Sequence, residues 1–200
     1  MYIVGLTGGI GVGKSYILQK IQMQGYPIYM ADSRAKVLMQ EDPFLREGII
    51  ALLGPEAYLP DGTLNRSYIA ERIFREPFLR EKLNALVHPR TIQDFLAWVS
   101  AQKAKGCTVI FKEAALTLEA GAYHGLTHLV VVYAPVKVRI ERLCQRDGLS
   151  PTAALARIQG QWPEWKKIAY ADFLIVNDGH LPIEPQLENL LAHFQPHPSP

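Results

Sequence analysis

The chain has 200 residues, a formal net charge of +2 and an apolar fraction of 48%. This length and apolar fraction suit one α/β domain with insertions and a sizeable core. The near-neutral charge gives no sign of nucleic-acid binding or of attraction to an acidic membrane, and no apolar run reaches the roughly 18 residues of a membrane span. We therefore expect no nucleic-acid partner and no membrane partner.

Cysteine usage and the first residues predict the compartment. Cys107 and Cys144 are the two cysteines, and a chain of this size needs no disulfide to fold, so reduced thiols are expected. The first predicted strand begins at residue 2, which leaves no room for a signal peptide. Together these features predict a cytoplasmic protein.

The first predicted element is a strand that leads into a glycine-rich loop and a helix. Residues 2–6 (YIVGL) form a short apolar run typical of a buried strand. Residues 8–15 (GGIGVGKS) match the phosphate-binding pattern G-x-x-x-x-G-K-[ST]. From Lys14 onward, helical spacing gives one apolar face, and Gly25 is expected to end the helix. The apolar face consists of Ile17, Leu18 and Ile21. The alternative is a chance match of the pattern. We do not favour it, because a predicted strand precedes the loop and a predicted helix follows it, as the motif requires.

The residue types of this loop predict binding of a nucleoside triphosphate with Mg²⁺. Glycines allow a tight turn in which successive N–H groups converge on phosphate oxygens. The N-terminus of the following helix favours an anion as well. Lys14 is expected to reach the outer phosphates, and the Ser15 hydroxyl is expected to bind Mg²⁺.

Four further strands are predicted downstream, at residues 27–30, 108–111, 128–133 and 173–176. Their apolar and often β-branched residues indicate burial on both faces, as in a parallel sheet covered by helices. The alternation with helical stretches predicts a three-layer α/β domain with a five-stranded parallel sheet. Ligands are expected at the carboxyl ends of the strands.

Two helical segments exceed what a minimal fold of this class requires. Residues 33–105 contain several amphipathic helices separated by prolines, and they predict an inserted helical subdomain. Residues 137–167 carry seven cations and three anions. We favour a lid over the phosphates here, because a tetra-anionic nucleotide needs cations; a solvated charged helix face is the alternative. Residues 1–32, 106–136 and 168–194 would then form the core of a single P-loop domain spanning residues 1–200.

Three side chains outside the loop are candidates for chemistry or substrate binding. Asp32 follows the second strand and would orient an attacking hydroxyl and accept its proton; the alternative is an N-cap for a helix beginning at Ser33. Glu113 follows the third strand and would hold Mg²⁺ through water, or form a salt bridge at the strand end. His88, with Pro89 closing a helix, would contact an anionic substrate, although a lone histidine is more often structural.

The chain resembles the dephospho-coenzyme A kinase family over nearly its whole length. The nucleotide loop, Ala31-Asp32, and the lid with Gln161 all resemble segments of that family. Other matching segments are DGTLNR at 61–66, Phe74, LNALVHP at 83–89, EAG at 119–121, and the stretch from Ala171-Asp172 to Asn177-Asp178-Gly179. The chain departs from the family pattern at Met30, where an aspartate is usual, at Tyr16, where threonine is usual, and at Arg139, where glutamine is common. The third-strand motif at 113–119 also lacks the usual proline and phenylalanine.

This resemblance implies an enzyme that transfers the ATP γ-phosphoryl group to the 3′-hydroxyl of dephospho-CoA. Asp32 would be the base, with Lys14 and Arg142 also catalytic, and Ser15 the metal ligand. The implied nucleotide contacts are Gly8, Gly9, Gly11, Val12, Gly13, Lys14, Ser15, Tyr16, Arg146 and Asn177. The implied acceptor contacts are Asp32, Arg66, His88, Pro89 and Glu113, with residues 33–105 on the CoA side. A monomer or weak homo-oligomer is expected. A kinase of another small acceptor, such as a nucleoside monophosphate, and a non-catalytic nucleotide-binding module are the alternatives.

Overall fold

The computed structural model describes residues 1–113 and 125–195. The strands are β1 (Tyr2–Thr7), β2 (Ile28–Met30), β3 (Val109–Glu113), β4 (His128–Tyr133) and β5 (Phe173–Val176). The helices are α1 (Lys14–Met23), α2 (Ala31–Glu41), α3 (Pro43–Leu53), α4 (Arg66–Arg75), α5 (Pro77–Ala104), α6 (Val136–Asp147), α7 (Pro151–Gln159), α8 (Glu164–Ile168) and α9 (Ile183–Ala192), with a 3₁₀ turn at Pro55–Ala57. Most of the third-strand motif, including EAG at 119–121, lies outside the described residues.

The five strands form one sheet in the order β2-β3-β1-β4-β5. Strand β1 lies at the centre and pairs in parallel with β3 and β4, and β4 pairs in parallel with β5. The predicted α/β fold with a five-stranded parallel sheet is confirmed. The limits differ by a few residues, because β1 extends to Thr7 and β3 runs from Val109 to Glu113.

The core lies on both faces of this sheet. Alternate residues of β4 point to opposite faces, as the two-residue period of a strand requires. Val130 and Val132 belong to the apolar cluster that contains the buried residues of α1 and α9. Leu129 and Val131 pack instead with Trp162, Ile168 and their neighbours. The sheet is therefore the middle of three layers, and Ile17, Leu18 and Ile21 form the buried face predicted for α1.

The chain divides into two compact units, Met1–Tyr29 with Gln102–Pro200, and Met30–Ala101. The second unit has its own apolar core, built on Leu45, Ile49, Leu53, Leu79 and Leu83 among others. Two of its helices have side-chain caps: Asp42 accepts from the Leu45 N–H (3.1 Å) and Asn65 accepts from the Tyr68 N–H (3.2 Å). The predicted roles of residues 33–105 and 137–167 remain predictions. Across the described residues, no helix is long and apolar enough to cross a membrane.

The expectation that Pro89 closes a helix is wrong. Helix α5 continues through Pro89 to Ala104. Proline removes one backbone hydrogen bond and normally bends or ends a helix. Here Leu83 and Val87 are buried before the proline and Phe95 after it. The free energy gained by apolar packing on both sides of Pro89 therefore exceeds the cost of the lost backbone hydrogen bond.

Candidate nucleotide-binding site

The glycine loop connects the carboxyl end of β1 to the first turn of α1. Gly8, Gly11 and Gly13 have φ values of 147°, 81° and 92°, in the region that L side chains rarely adopt. The Gly13 carbonyl accepts from the N–H groups of Tyr16 and Ile17, so the helix starts directly at the loop. The sequence folds here as the motif predicts, because the glycines permit a turn that other residues would strain.

Lys14 lies across the start of the loop. Its Nζ donates to the Gly8 carbonyl (2.9 Å) and to the Gly9 carbonyl (3.3 Å). Ser15 and Tyr16 follow in the first turn of α1, both exposed, and Lys20 Nζ lies 4.9 Å from the centroid of the Tyr16 ring. The predicted phosphate-binding lysine and metal-binding hydroxyl are thus at the helix N-terminus, next to the glycines.

Side chains from distant parts of the chain bind the carbonyls on the other side of the loop. Arg142 Nη1 donates to the carbonyls of Val12 (3.1 Å) and Gly11 (3.4 Å). Asn177, 8% exposed, donates from Nδ2 to the Val12 carbonyl (2.8 Å) and accepts from Arg142 (3.2 Å) at Oδ1. A Cβ on Gly13 would overlap the Asn177 amide. The two predicted site residues Arg142 and Asn177 therefore contact the loop backbone itself.

A buried cluster of charges packs behind the loop. Arg139 is 1% exposed; its Nε donates to the Ile10 carbonyl (2.8 Å) and its Nη1 to Glu164 Oε1 (2.8 Å). Lys167 is fully buried, with Nζ 3.8 Å from the same Glu164 oxygen. Burial lowers the pKa of Arg139, and the Glu164 carboxylate partly offsets this effect. An arginine remains charged despite such a shift.

This cluster is the part of the site that sequence reasoning missed. The sequence pattern assigns Arg139, Glu164 and Lys167 only to the charged residues of the predicted lid. One signal marks the position, because the resemblance to the family implies that Arg139 stands where glutamine is common. A change from a neutral to a charged residue there calls for a counter-ion, and Glu164 supplies it.

The other lid residues that the family resemblance marks differ in whether they contact the loop. Gln161 Oε1 accepts from the Ile10 N–H (2.7 Å), so it contacts the loop directly. Arg146 is exposed and forms a two-point ion pair with Asp147 (2.7 and 2.9 Å), which also contacts Arg157 (3.4 Å). The hydrogen bond from Arg146 lowers the pKa of Asp147. The Arg146 guanidinium is therefore paired with a carboxylate of its own helix, α6.

The two candidate carboxylates have different surroundings. Glu113 is the last residue of β3, 9% exposed, and in register with Leu6 of β1. Asp32 belongs to the second unit and is exposed in the first turn of α2. The N-cap alternative for Asp32 is wrong, because α2 begins at Ala31 and Met30 holds the cap position. Asp32 therefore does not act as the N-cap of α2.

The other predicted acceptor contacts all lie in the second unit. Arg66 is exposed at the first position of α4, directly after the capping Asn65. His88 and Pro89 are exposed near the middle of α5. The structure thus groups Arg66, His88 and Pro89 with Asp32 in one unit, and the loop, Glu113, Arg142, Arg146 and Asn177 in the other.

A parallel sheet with this loop between β1 and α1, followed by basic helices after β4, defines a P-loop protein of the kinase class. Comparisons with known proteins narrow that class. The family model described as Dephospho-CoA kinase matches residues 2–182. A dephospho-CoA kinase of Bacteroides fragilis is 34% identical over 190 residues, which is 94% of this chain and 91% of the relative. One from Chlorobaculum tepidum is 38% identical over 183 residues, 90% of this chain and 88% of the relative. The chain belongs to the dephospho-CoA kinase family.

Solved structures agree with this assignment of the fold. A crystal structure of a protein from Thermus thermophilus superimposes with a TM-score of 0.84 and 31% identity, covering 98% of both chains. A shikimate kinase from Bacteroides thetaiotaomicron, 14% identical, covers 96% of this chain and 97% of its own with a TM-score of 0.53. The second likeness concerns the fold alone.

Proposed function

We propose that the protein transfers the γ-phosphoryl group of Mg-ATP to the 3′-hydroxyl of dephospho-CoA, giving CoA and ADP. The observation that carries the proposal is the phosphate loop of a dephospho-CoA kinase family member with its lysine and its anchoring side chains all in place. A loop held in this way is ready to bind phosphates before the nucleotide arrives, which is the main requirement of phosphoryl transfer.

The loop would bind the β- and γ-phosphates. The N–H groups of the glycine loop and of the first turn of α1 converge at the helix N-terminus, where an anion is favoured. Lys14 would exchange the carbonyls of Gly8 and Gly9 for phosphate oxygens, which are stronger acceptors for an ammonium group. Tyr16, Arg146 and Asn177 are the further proposed nucleotide contacts.

The donor atoms near the loop fit Mg²⁺. Ser15 offers an exposed hydroxyl oxygen one residue after Lys14, and Glu113 offers a carboxylate at the end of β3. Within residues 1–113 and 125–195, no group of three or more His, Cys, Asp or Glu could hold a metal alone. Mg²⁺ characteristically shares its ligands between protein oxygens, water and substrate phosphates. Ser15 directly and Glu113 through water would hold the ion, which draws negative charge from the reacting phosphate.

Asp32 is the proposed base. Its carboxylate would accept a hydrogen bond from the 3′-hydroxyl, orient it towards the γ-phosphorus and take its proton as the new O–P bond forms and the bond to ADP breaks. The exposed side chain and its freedom from a capping role support this assignment. Arg142 and Arg146 would stabilise the charge of the transferring group, and Arg66, His88 and Pro89 would contact the acceptor.

An ADP-release assay with a panel of acceptors tests the proposal. Wild-type protein with Mg-ATP should release ADP only when dephospho-CoA is added, and Lys14→Met should abolish the release. Release with a nucleoside monophosphate but not with dephospho-CoA would assign the protein to another acceptor. ATP binding with no release for any acceptor would identify a non-catalytic binding module.

A further inference from the structure

The carbonyls of the phosphate loop are bound by side chains that come from three places in the sequence. Lys14 binds those of Gly8 and Gly9 from within the loop. Arg142 and Asn177 bind the Val12 carbonyl. The Ile10 carbonyl between them is bound by Arg139 (2.8 Å), a side chain to which the proposed mechanism assigns no part.

We propose that Arg139, held in place by Glu164, is a positioning residue that orients the peptide between Ile10 and Gly11 for phosphate binding. This inference rests on the proposed binding of Mg-ATP at the loop. It concerns a side chain whose bond to the loop is seen in the structure of this chain.

Peptide geometry explains how Arg139 acts at a distance from the phosphates. In a trans peptide, the C=O of one residue and the N–H of the next lie in one plane and point in opposite directions. We call the side of the loop that Arg139 contacts its outer side, and the side that would hold the phosphates its inner side. A donor that fixes the Ile10 carbonyl on the outer side therefore directs the Gly11 N–H away from Arg139 and towards the inner side. A charged donor also polarises the peptide, which strengthens the hydrogen bond that its N–H can donate.

The loop backbone is built for this close approach. A Cβ on Gly9 would overlap Glu164 Oε1 and Arg139 Nη2, and it would lie 2.8 Å from Arg139 Cζ. Gly9 is absent from the glycines with positive φ, so contact with the charged pair is what requires a glycine there. The N–H of the same residue, Ile10, donates to Gln161 Oε1 (2.7 Å). Ile10 is thus held through both of its backbone polar groups.

Charge and burial favour the same role. The cluster has two buried cations, Arg139 and Lys167, and one anion, Glu164, whose side chain is 11% exposed. Among the residues that the structure describes, neither Arg139 Nη2 nor Glu164 Oε2 has a hydrogen-bond partner. A buried ion pair that leaves polar atoms unsatisfied is a poor source of stability compared with apolar packing. Its contact with the loop backbone gives it a function that apolar packing would not supply.

The test separates positioning from stability. The variant Arg139→Met/Glu164→Gln keeps the net charge of the cluster and removes the bond to Ile10, while Gln leaves an amide oxygen near Lys167 Nζ. Arg139→Lys keeps the charge and a partner for Glu164 but lacks the Nε donor. Glu188→Gln, at an exposed position of α9, is the matched control for loss of a charged side chain.

The measurements are the Kd of Mg-ATP and of dephospho-CoA by calorimetry, the Tm, and the ¹⁵N–¹H signal of Gly11. In the double variant and in Arg139→Lys we expect the Kd of Mg-ATP to rise by roughly ten-fold, the scale of one charge-assisted hydrogen bond. The Kd of dephospho-CoA should be unchanged, and the shift of the Gly11 signal on adding Mg-ATP should shrink. Glu188→Gln should match the wild type in every measurement.

A folded double variant that binds Mg-ATP within about two-fold of the wild type would overturn the inference. The same holds for Arg139→Lys, which retains the cluster's charge and so tests the inference if the double variant does not fold. Failure of the proposed function has a different signature, because the wild type itself would then show no binding of Mg-ATP or no transfer to dephospho-CoA.

Discussion

The substitution Gly9→Ala tests the packing of the loop against the buried charges. The added methyl group would overlap the ends of Glu164 and Arg139. The Arg139 guanidinium cannot swing into solvent, because Arg139 is 1% exposed and joined both to Glu164 and to the Ile10 carbonyl. The substitution therefore has to displace the ion pair, the loop, or both.

The magnitude follows from three contributions. Overpacking a well-filled site costs about 1–3 kcal/mol, and weakening a charged hydrogen bond costs about 1.5–3 kcal/mol. The reduced freedom of the unfolded chain returns about 0.4–1 kcal/mol, because Gly9 does not require a positive φ. The net loss of about 2–5 kcal/mol corresponds to a fall in Tm of about 4–20 °C for a chain of this size.

Thermal unfolding, followed by the fluorescence of the tryptophans, measures this effect. Gly160→Ala is the matched control, since Gly160 has a φ of −71° and its added Cβ would meet its nearest neighbours at 3.6 Å, an ordinary contact. We expect Gly160→Ala to be neutral or slightly stabilising. A Gly9→Ala protein that melts with the control and the wild type would refute the packing argument.

The remaining predictions concern catalysis, the loop, the core and acid stability. Asp32→Asn should leave the Kd of Mg-ATP nearly unchanged and lower kcat by roughly 100-fold or more, as loss of a general base does; an unchanged kcat would remove Asp32 from the mechanism. Asn177→Asp places an oxygen where the amide donates to the Val12 carbonyl, so the Kd of Mg-ATP should rise by roughly ten-fold in calorimetry, and unaltered affinity would contradict that bond's importance. Leu143→Ala, at a fully buried position of α6, should cost about 2–5 kcal/mol in urea unfolding, and a loss below about 1 kcal/mol would contradict its place in the core. Two backbone N–H groups lower the pKa of Asp178 from 3.8, so its contribution to stability is complete above that pH and is lost as the pH falls through the folded-state pKa; Asp178→Asn should flatten this part of the acid unfolding curve, and an identical curve would count against it.

Local patterns in the sequence were enough to predict the sheet and the phosphate loop. The residue types at 2–15 each satisfy a short-range requirement, such as burial in β1 or the positive φ at Gly11. Such requirements depend on neighbours in sequence, so they can be read from one chain. Pro89 shows the limit, because a local rule ends the helix there and tertiary packing of Leu83 and Phe95 continues it.

The outer side of the loop could not be predicted, because its partners are far away in sequence. Arg139 and Asn177 are separated from the loop residues they contact by 129 and 165 positions. In a helical pattern, a basic residue such as Arg139 is assigned to the solvent-exposed side. Its burial follows only from the meeting of α6, Glu164 and the loop in the folded chain. The family resemblance marked Asn177 as a nucleotide contact, whereas its bond to Val12 becomes visible only in the structure.

The most direct test of the proposed function is the identity of the product. Wild-type protein would be incubated with Mg-ATP and dephospho-CoA, and the acceptor would be recovered and examined by mass spectrometry and ³¹P NMR. The proposed function predicts one added phosphoryl group, attached at the ribose 3′-oxygen, with one ADP formed for each. Recovery of unmodified dephospho-CoA under conditions where the protein binds Mg-ATP would contradict it.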